Sequence, residues 1–531
     1  MLNLLLFSCA RVGAPNGGTR DSLAPKFLGS NIDTTRLNVS RTVKELRLDF
    51  DEYVMLKDFN KNFNVSPPIK KIKKVIPSNL ANKYVLIQWE DTLQANTTYN
   101  FNFGNAIVDN NESNPLPYFN FAFSTGDKID DLFVSGTVKD AMTLIKENQT
   151  AKDNKMVVGL YKAGENLDYK QKPDYITKVD EENYFELNFL PKGEFVIIAF
   201  DDENQNSVYD AGKEKVSFLK EKIKLDSTSV RGLKLKLYPS KKVVKYKESK
   251  AINGGLLMTF EGNPETVEVK SLSEELKDFK VTHAKRSDSV NIWFDAEKSN
   301  LGGNISKQVK LSYFTPTISD TISVSYKAVK EEFKLSNEAG NLIAPENNFV
   351  INTSLPIENL NTSSWKLESD SIAQDFTAKI SEKNPFKILV NSSFKPTKKY
   401  VLTIPKETVS SYYSSNDKSF QFQFEIDKPE NYGSFTAVIK NKPTAKFWVE
   451  LTNEKGEILY SQFTNASEVS FKNLKPATYI ARIRVDNNGN GFWDEADFAQ
   501  NIAAEDVYIF EKEINVRPLW EIKEDWELTN R

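Results

Sequence analysis

Apolar and polar residues alternate in short runs along nearly the whole chain. Leu46-Arg47-Leu48-Asp49-Phe50 and Tyr99-Asn100-Phe101-Asn102-Phe103 hold a strict two-residue period. Successive side chains of a β-strand point to opposite faces, so such runs predict strands with one buried face. Residues 85–90, 118–126, 132–138, 157–161, 184–187 and 194–200 add further β runs. Residues 256–260, 290–294, 322–326, 349–352, 386–390, 420–424, 433–439, 447–451 and 479–485 continue the series. Clusters of Gly, Pro, Asn and Asp punctuate them, and no helical periodicity extends beyond about two turns. The pattern predicts an all-β chain of tandem β-sandwich domains with little helix.

Two stretches repeat one design. Asp486-Asn487-Asn488-Gly489-Asn490-Gly491-Phe492-Trp493-Asp494 has a counterpart 284 residues earlier, Asp202-Glu203-Asn204-Gln205-Asn206-Ser207-Val208-Tyr209-Asp210. Both read D-x-N-x-N-x-x-aromatic-D, and each follows a long β run. A gap-free alignment pairs Leu190 with Leu474, Phe195 with Tyr479 and Asp202 with Asp486. Such self-similarity marks a duplicated domain. Residues 394–405 echo 93–101 in the same way, and 420–424 echo the end of the first block. A chain of 531 residues is too long for one core. The expected layout is a signal remnant, lipidated cysteine and tether in 1–20, then sandwiches at 21–128 and 129–240. A third sandwich or spacer follows at 241–330, with two more at 331–430 and 431–531. Residues 241–247 are expected to form a linker or exposed strand.

Pro25-Lys26, Asp49-Phe50-Asp51-Glu52-Tyr53-Val54, Leu93-Gln94-Ala95-Asn96-Thr97-Thr98-Tyr99 and Phe121-Ala122-Phe123-Ser124-Thr125-Gly126 carry a resemblance. Together they resemble the bacterial Ig-like domain found in S-layer proteins and in many Bacteroidetes lipoproteins. Residues 331–430 resemble the same domain with a weaker signature. The Pro/Gly turn and long β run of residues 190–202, with their copy in 431–531, resemble the transthyretin-like or carboxypeptidase-regulatory sandwich. Ig-like members are mostly structural or binding modules, so the resemblance implies a non-enzymatic role.

Composition narrows the function classes. Lys and Arg total 70 against 73 Asp and Glu, a formal net charge of −3, so no general attraction to nucleic acid or anionic lipid is expected. Lys70-Lys71-Ile72-Lys73-Lys74 reads as a solvated strand face or turn. The single cysteine, Cys9, leaves no intrachain disulfide, and the single histidine, His283, leaves no histidine-rich metal site. His283 reads as a solvent-facing strand residue. Neighbouring acids such as Asp49, Asp51 and Glu52, or Asp201, Asp202 and Glu203, are expected by chance at this acidic content. The tryptophans read as packing residues, with Trp520 and Trp526 in closing strands. No G-x-x-x-x-G-K-[ST], H-E-x-x-H, C-x-x-C or G-x-S-x-G motif occurs, and the chain reads as no enzyme.

Residues 1–9 are an apolar run too short to span a bilayer. Leu6-Phe7-Ser8-Cys9 resembles a bacterial lipobox, in which Cys9 would become an acylated N-terminus. Phe7 is bulky for its position, and no Lys or Arg precedes the run, so this start is expected to lie inside a longer signal peptide. The tether Gly13-Ala14-Pro15-Asn16-Gly17-Gly18-Thr19 suits a flexible arm, and several acyl chains hold a protein stably on a membrane. Ala10-Arg11-Val12-Gly13 lacks the acidic run that resembles a surface-export signal, which tilts the expected location toward the periplasmic face of the outer membrane.

The repeated acidic loops are the main candidate chemistry. Calcium takes oxygen ligands, and alternate residues of a tight loop turn side-chain oxygens inward. Asp202, Asn204, Asn206 and Asp210 with the Val208 carbonyl form one candidate set. Asp486, Asn488, Asn490 and Asp494 with the Phe492 carbonyl form the other. Asx turns alone also account for such a composition. The expected function is a protein-binding scaffold or accessory subunit of an outer-membrane assembly or secretion complex. Its partners would be an outer-membrane protein and the lipid anchor in the membrane, with no nucleic acid. The alternatives are a cell-surface glycan-binding protein and a calcium-dependent adhesin.

Overall fold

The computed structural model describes residues 21–144, 155–164, 168–329, 332–338 and 340–528. Cys9 and its tether lie outside the described residues. Among the described residues strands dominate, beside one four-residue helix, Phe59–Asn62, and two short 3-10 turns. No described helix is long and apolar enough to cross a membrane.

Among the described residues, apolar side chains gather in five separate cores. Each forms because two sheets turn their alternate apolar residues toward one another. One compact unit carries most of the first two sandwiches, to Leu237; the other takes Asp140, Ala211–Lys215 and the three sandwiches that follow from Tyr238. In the first sandwich, Glu45–Leu56 lies between Phe27–Ser30 and Asn82–Trp89, and Ile72–Ile76 completes that order. The facing sheet runs Asn64–Ser66, Thr98–Gly104, Phe119–Ser124. Period two decides its faces: Tyr99, Phe101 and Phe103 fill the core while Asn102 stands on the outer face.

The second and fifth sandwiches share one topology. In the second, one sheet runs Tyr175–Lys178, Met156–Lys162, Gly193–Asp201, Val216–Phe218, and the other Tyr184–Leu190, Leu132–Asp140, Val230–Leu237. In the fifth, the matching orders are Ile458–Thr464, Phe447–Thr452, Ala477–Val485, Val507–Val516 and Glu468–Leu474, Gly433–Lys440, Glu521–Glu527. The duplication reaches the backbone. Phe189 and Asn473, equivalent positions, both take positive φ (59° and 53°), each beside a register shift in its strand pairing. Leu190 and Leu474 follow them into full burial.

The first and fourth sandwiches share a second repeat. Asn96 and Thr397 turn at positive φ (47° and 63°) just before a strand. The Tyr99 hydroxyl then accepts the Gln94 N–H at 2.8 Å, and the Tyr400 hydroxyl accepts the Lys395 N–H at 2.8 Å. Each ring stacks on the phenylalanine opposite it, Tyr99 on Phe123 at 5.9 Å and Tyr400 on Phe424 at 5.5 Å. One tyrosine thus fills the core edge and closes the turn that enters its own strand.

Third and fourth sandwiches share a tryptophan. Trp293 ends the third sandwich's strand Ser289–Trp293, yet its ring belongs to the fourth core and meets Phe386 at 6.0 Å. Its indole N–H donates to the Thr282 hydroxyl at 2.8 Å.

Some expectations change. Of the two expectations for residues 241–247, the exposed strand holds from Lys245: Lys245–Ile252 is a strand without a buried residue. His283 is half-buried, with a ring nitrogen 3.1 Å from the Ser287 carbonyl, instead of facing solvent freely. Trp526 lies in the closing strand, but Trp520 sits in the turn before it, 46% exposed. Strands Ile458–Thr464 and Val507–Val516 have no counterpart among the predicted runs.

Replacing Tyr99 by Phe removes one acceptor and leaves the Gln94 N–H without it. The expected cost is about 1 kcal/mol, which lowers the first sandwich's calorimetric transition by ~4–8 °C and leaves the other transitions in place.

Candidate functional site

Each acidic loop leaves the end of a core strand. Gly193–Asp201 delivers Asp202, and Ala477–Val485 delivers Asp486; both aspartates are buried. One carboxylate oxygen accepts the N–H of position five, Asn206 or Asn490, at 3.0 Å in both loops. The other accepts that of position six, Ser207 at 3.1 Å or Gly491 at 3.0 Å. Asx turns complete the coil. Asn204 and Asn488 Oδ1 accept the N–H two residues on at 3.0 Å, as do Asn206 Oδ1 from Val208 at 2.6 Å and Asn490 Oδ1 from Phe492 at 2.8 Å. Positions four and six take positive φ in both copies: Gln205 57°, Ser207 62°, Gly489 72° and Gly491 82°. Glycine adopts this backbone freely, whereas a residue with Cβ pays about 1–2 kcal/mol.

The aromatic at position eight anchors the far side of the loop. Tyr209 packs on Phe200 with ring centroids 6.0 Å apart, and the Arg484 guanidinium lies 5.8 Å from the Trp493 ring. Phe200 and Arg484 are equivalent residues, each two before the loop aspartate. Arg484 also joins a buried cluster. Glu450, fully buried, accepts two bonds from Arg482 at 2.9 and 2.7 Å and a third from Arg484 Nε at 3.0 Å.

Within each loop the asparagine and aspartate side chains of the expected set meet one another, but with amide nitrogen turned toward the closing aspartate. Asn204 Nδ2 donates to Asp210 Oδ2 at 2.6 Å, and Asn488 Nδ2 donates to Asp494 Oδ2 at 2.5 Å. Asn490 Nδ2 adds a bond to the same Asp494 oxygen at 2.7 Å. The carboxamide oxygens meanwhile hold backbone N–H groups. Calcium takes oxygens, so the donor set as arranged does not fit it. No group of three or more His, Cys, Asp or Glu suited to a metal occurs among the described residues.

In the second loop a protein cation takes up the remaining charge. Arg286 Nη1 lies 2.8 Å from Asp494 Oδ1, its Nε donates to Glu265 at 2.5 Å, and its guanidinium sits 4.7 Å from the Phe492 ring. Buried Glu505 accepts the N–H groups of Asn488 at 3.1 Å and Asp494 at 2.9 Å. Burial pushes the Glu505 carboxyl up despite those bonds. Burial acts the same way on Asp494, but the Asn488 and Asn490 amides and the Arg286 charge outweigh it and hold this carboxyl below its ordinary value. Sequence reasoning missed Arg286 and Glu505, since neither lies in the motif.

The other expected acids are engaged separately. Asp49 pairs with Arg47 at 2.9 Å, Asp51 accepts the Lys26 N–H at 2.8 Å, and Glu203 pairs with Lys155 at 2.6 Å.

Residues 21–125, the first sandwich, match the family model of the bacterial Ig-like domain. No curated protein matches the chain. Among solved structures, the S-layer protein rSbsC(31-844) is 12% identical, with 93% of this chain and 67% of that one covered at a TM-score of 0.15. The Bacteroides ovatus mixed-linkage glucan utilization locus SGBP-B, in complex with a mixed-linkage heptasaccharide, is 9% identical over 73% of this chain and 94% of that one, with a TM-score of 0.19. The Sidekick-1 immunoglobulin domains 1-5 are 9% identical over 96% and 100%, with a TM-score of 0.12. At these scores the likeness says nothing of ligand or partner.

Two outcomes follow from the loops. Calcium at about 1 mM should leave every melting transition within roughly 1 °C of its value in chelator, because linkage stabilises only where an ion binds. A rise of several degrees would show that the carboxamides turn their oxygens inward. Asp494→Asn should cost about 1–3 kcal/mol at neutral pH through lost charged hydrogen bonds. Because the folded carboxyl titrates below its unfolded value of about 3.9, that contribution is present above the unfolded value and fades as pH falls through the folded one. Melts of wild type and variant should therefore begin to converge once the pH falls below about 3.9; a gap independent of pH would contradict the assignment.

Proposed function

We propose that the chain is a non-enzymatic protein-binding scaffold of the bacterial envelope. In this reading it is an accessory subunit of an outer-membrane assembly or secretion complex, held on the membrane by lipid at Cys9. The Ig-like domain at residues 21–125 supports the module type. One observation carries the binding role: strand Ile458–Thr464 edges its sheet and pairs only with Phe447–Thr452 among the described strands. Its sequence, Ile-Leu-Tyr-Ser-Gln-Phe-Thr, has neither a charge nor a proline. Ile458, Leu459 and Phe463 are 45%, 49% and 44% exposed. Edge strands are usually guarded by charges, because their open backbone templates pairing with another chain. The opposite edge of the same sheet, Val507–Val516, carries Glu511, Lys512 and Glu513. A partner strand added to the unguarded edge gains main-chain hydrogen bonds and apolar contact with the Trp448–Phe463 stack, whose centroids lie 4.4 Å apart.

Affinity purification from detergent-solubilised membranes tests the reading. Wild type should recover a stoichiometric outer-membrane protein. The double variant Leu459→Lys/Phe463→Lys should lose it while melting normally, and Cys9→Ser should move the chain to the soluble fraction. Recovery of no partner, or full recovery by the double variant, would sink the scaffold assignment.

A further inference from the structure

The outer face of the first sandwich's smaller sheet is lined with carboxamides. Asn64 stands opposite Asn102, and Asn102 opposite Asn120, so one asparagine from each of three strands forms a single row. Neighbouring strands lie about 4.8 Å apart, which gives the row a length of about 10 Å, that of a disaccharide. Asn102 Oδ1 accepts the Gly104 N–H at 2.9 Å, and Asn120 Nδ2 donates to the Tyr118 carbonyl at 3.3 Å. The Asn64 carboxamide, the Asn102 NH₂ and the Asn120 carbonyl bond no described residue. The row therefore offers donors and acceptors in alternation.

It lines a cleft of about 1270 Å³ in the first compact unit. That volume exceeds the roughly 300–1,000 Å³ usual for small-molecule pockets and suits a chain segment. Strand Tyr184–Leu190 supplies another wall. Phe185 and Leu187 point into the second core, so Tyr184 and Glu186 face the cleft. The Tyr184 hydroxyl donates to Glu186 at 2.7 Å, and Asn188 donates to the same carboxylate at 2.9 Å, which fixes the ring. Tyr118 lines the cleft too. It is 70% exposed at φ 52°, held by its N–H donating to Asn105 Oδ1 at 3.1 Å. A bulky residue in that backbone region costs about 1–2 kcal/mol, and such outliers persist where a site uses them.

We propose that this cleft binds a neutral oligosaccharide. Sugar hydroxyls both donate and accept, as the asparagine row requires, and the Tyr118 and Tyr184 rings offer flat apolar faces with polar tips to a pyranose. Lysines and carboxylates line the cleft together, so a polyanion meets no net attractive field. An added peptide strand pairs with main-chain groups at a sheet edge, whereas the asparagine row stands on the face of its sheet and presents side-chain amides.

The test is a neutral-glycan array followed by calorimetric titration of the full chain with the strongest oligosaccharide. Binding should fall at least about tenfold in Asn64→Ala/Asn102→Ala and in Tyr118→Gly. Glycine accepts the positive φ, so Tyr118→Gly should melt no lower than wild type, which separates lost binding from lost folding. The edge variant Leu459→Lys/Phe463→Lys should bind sugar as wild type does. No neutral glycan bound at millimolar concentration, binding of acidic polymers or peptides alone, or an affinity unchanged in both cleft variants would overturn the proposal.

Discussion

A central strand of a sandwich has two faces and only one core. In the second and fifth sandwiches the long strands Gly193–Asp201 and Ala477–Val485 turn Phe195, Ile197 and Ala199, or Tyr479, Ala481 and Ile483, toward that core. Ile198 and Phe200 are buried on the opposite face, as is Arg482. Something must cover the apolar part of that face, because apolar area left in water forgoes the free energy of burial. The acidic loop supplies cover at its aromatic position, Tyr209 over Phe200 and Trp493 beside Arg484. The spacing of aspartate, asparagines and aromatic follows from this covering role. The carboxylate captures two N–H groups to start the coil, and the aromatic returns to the strand just left.

Much of this was legible in the sequence, for physical reasons. Alternation in residues 99–103 and 479–485 is a direct record of one buried face, and the spacing shared by Leu190/Leu474 and Asp202/Asp486 records one fold used twice. Other parts left no such record. Strand Val507–Val516 breaks period two because its pairing with Ala477–Val485 shifts register between Ile480 and Arg482. Strand Ile458–Thr464 shows no alternation because most of its side chains are exposed. Arg286 meets Asp494 across some two hundred residues of chain, and no local pattern encodes such a contact. The asparagine row was half visible: alternation places Asn102 outward, but its meeting with Asn64 and Asn120 depends on register alone.

The two compact units carry different surfaces. The cleft belongs to the first, walled by carboxamides and fixed phenols; the unguarded edge belongs to the second, where the backbone itself is on offer. One suits a ligand recognised hydroxyl by hydroxyl, the other a partner recognised through its main chain. Neither asks for a titrating nucleophile or a bound ion, and the aromatic of each acidic loop packs back toward the strand it leaves.

Trp293 has a mechanical meaning. Its backbone is woven into the third sandwich while its ring is part of the fourth core, against Phe386. A tug on either body is therefore felt by the other, and the pair should yield as one cooperative block rather than as two beads in turn. Cleaving the chain between them, near residue 330, would leave a large indole face wet on one fragment and a hole of matching shape in the other.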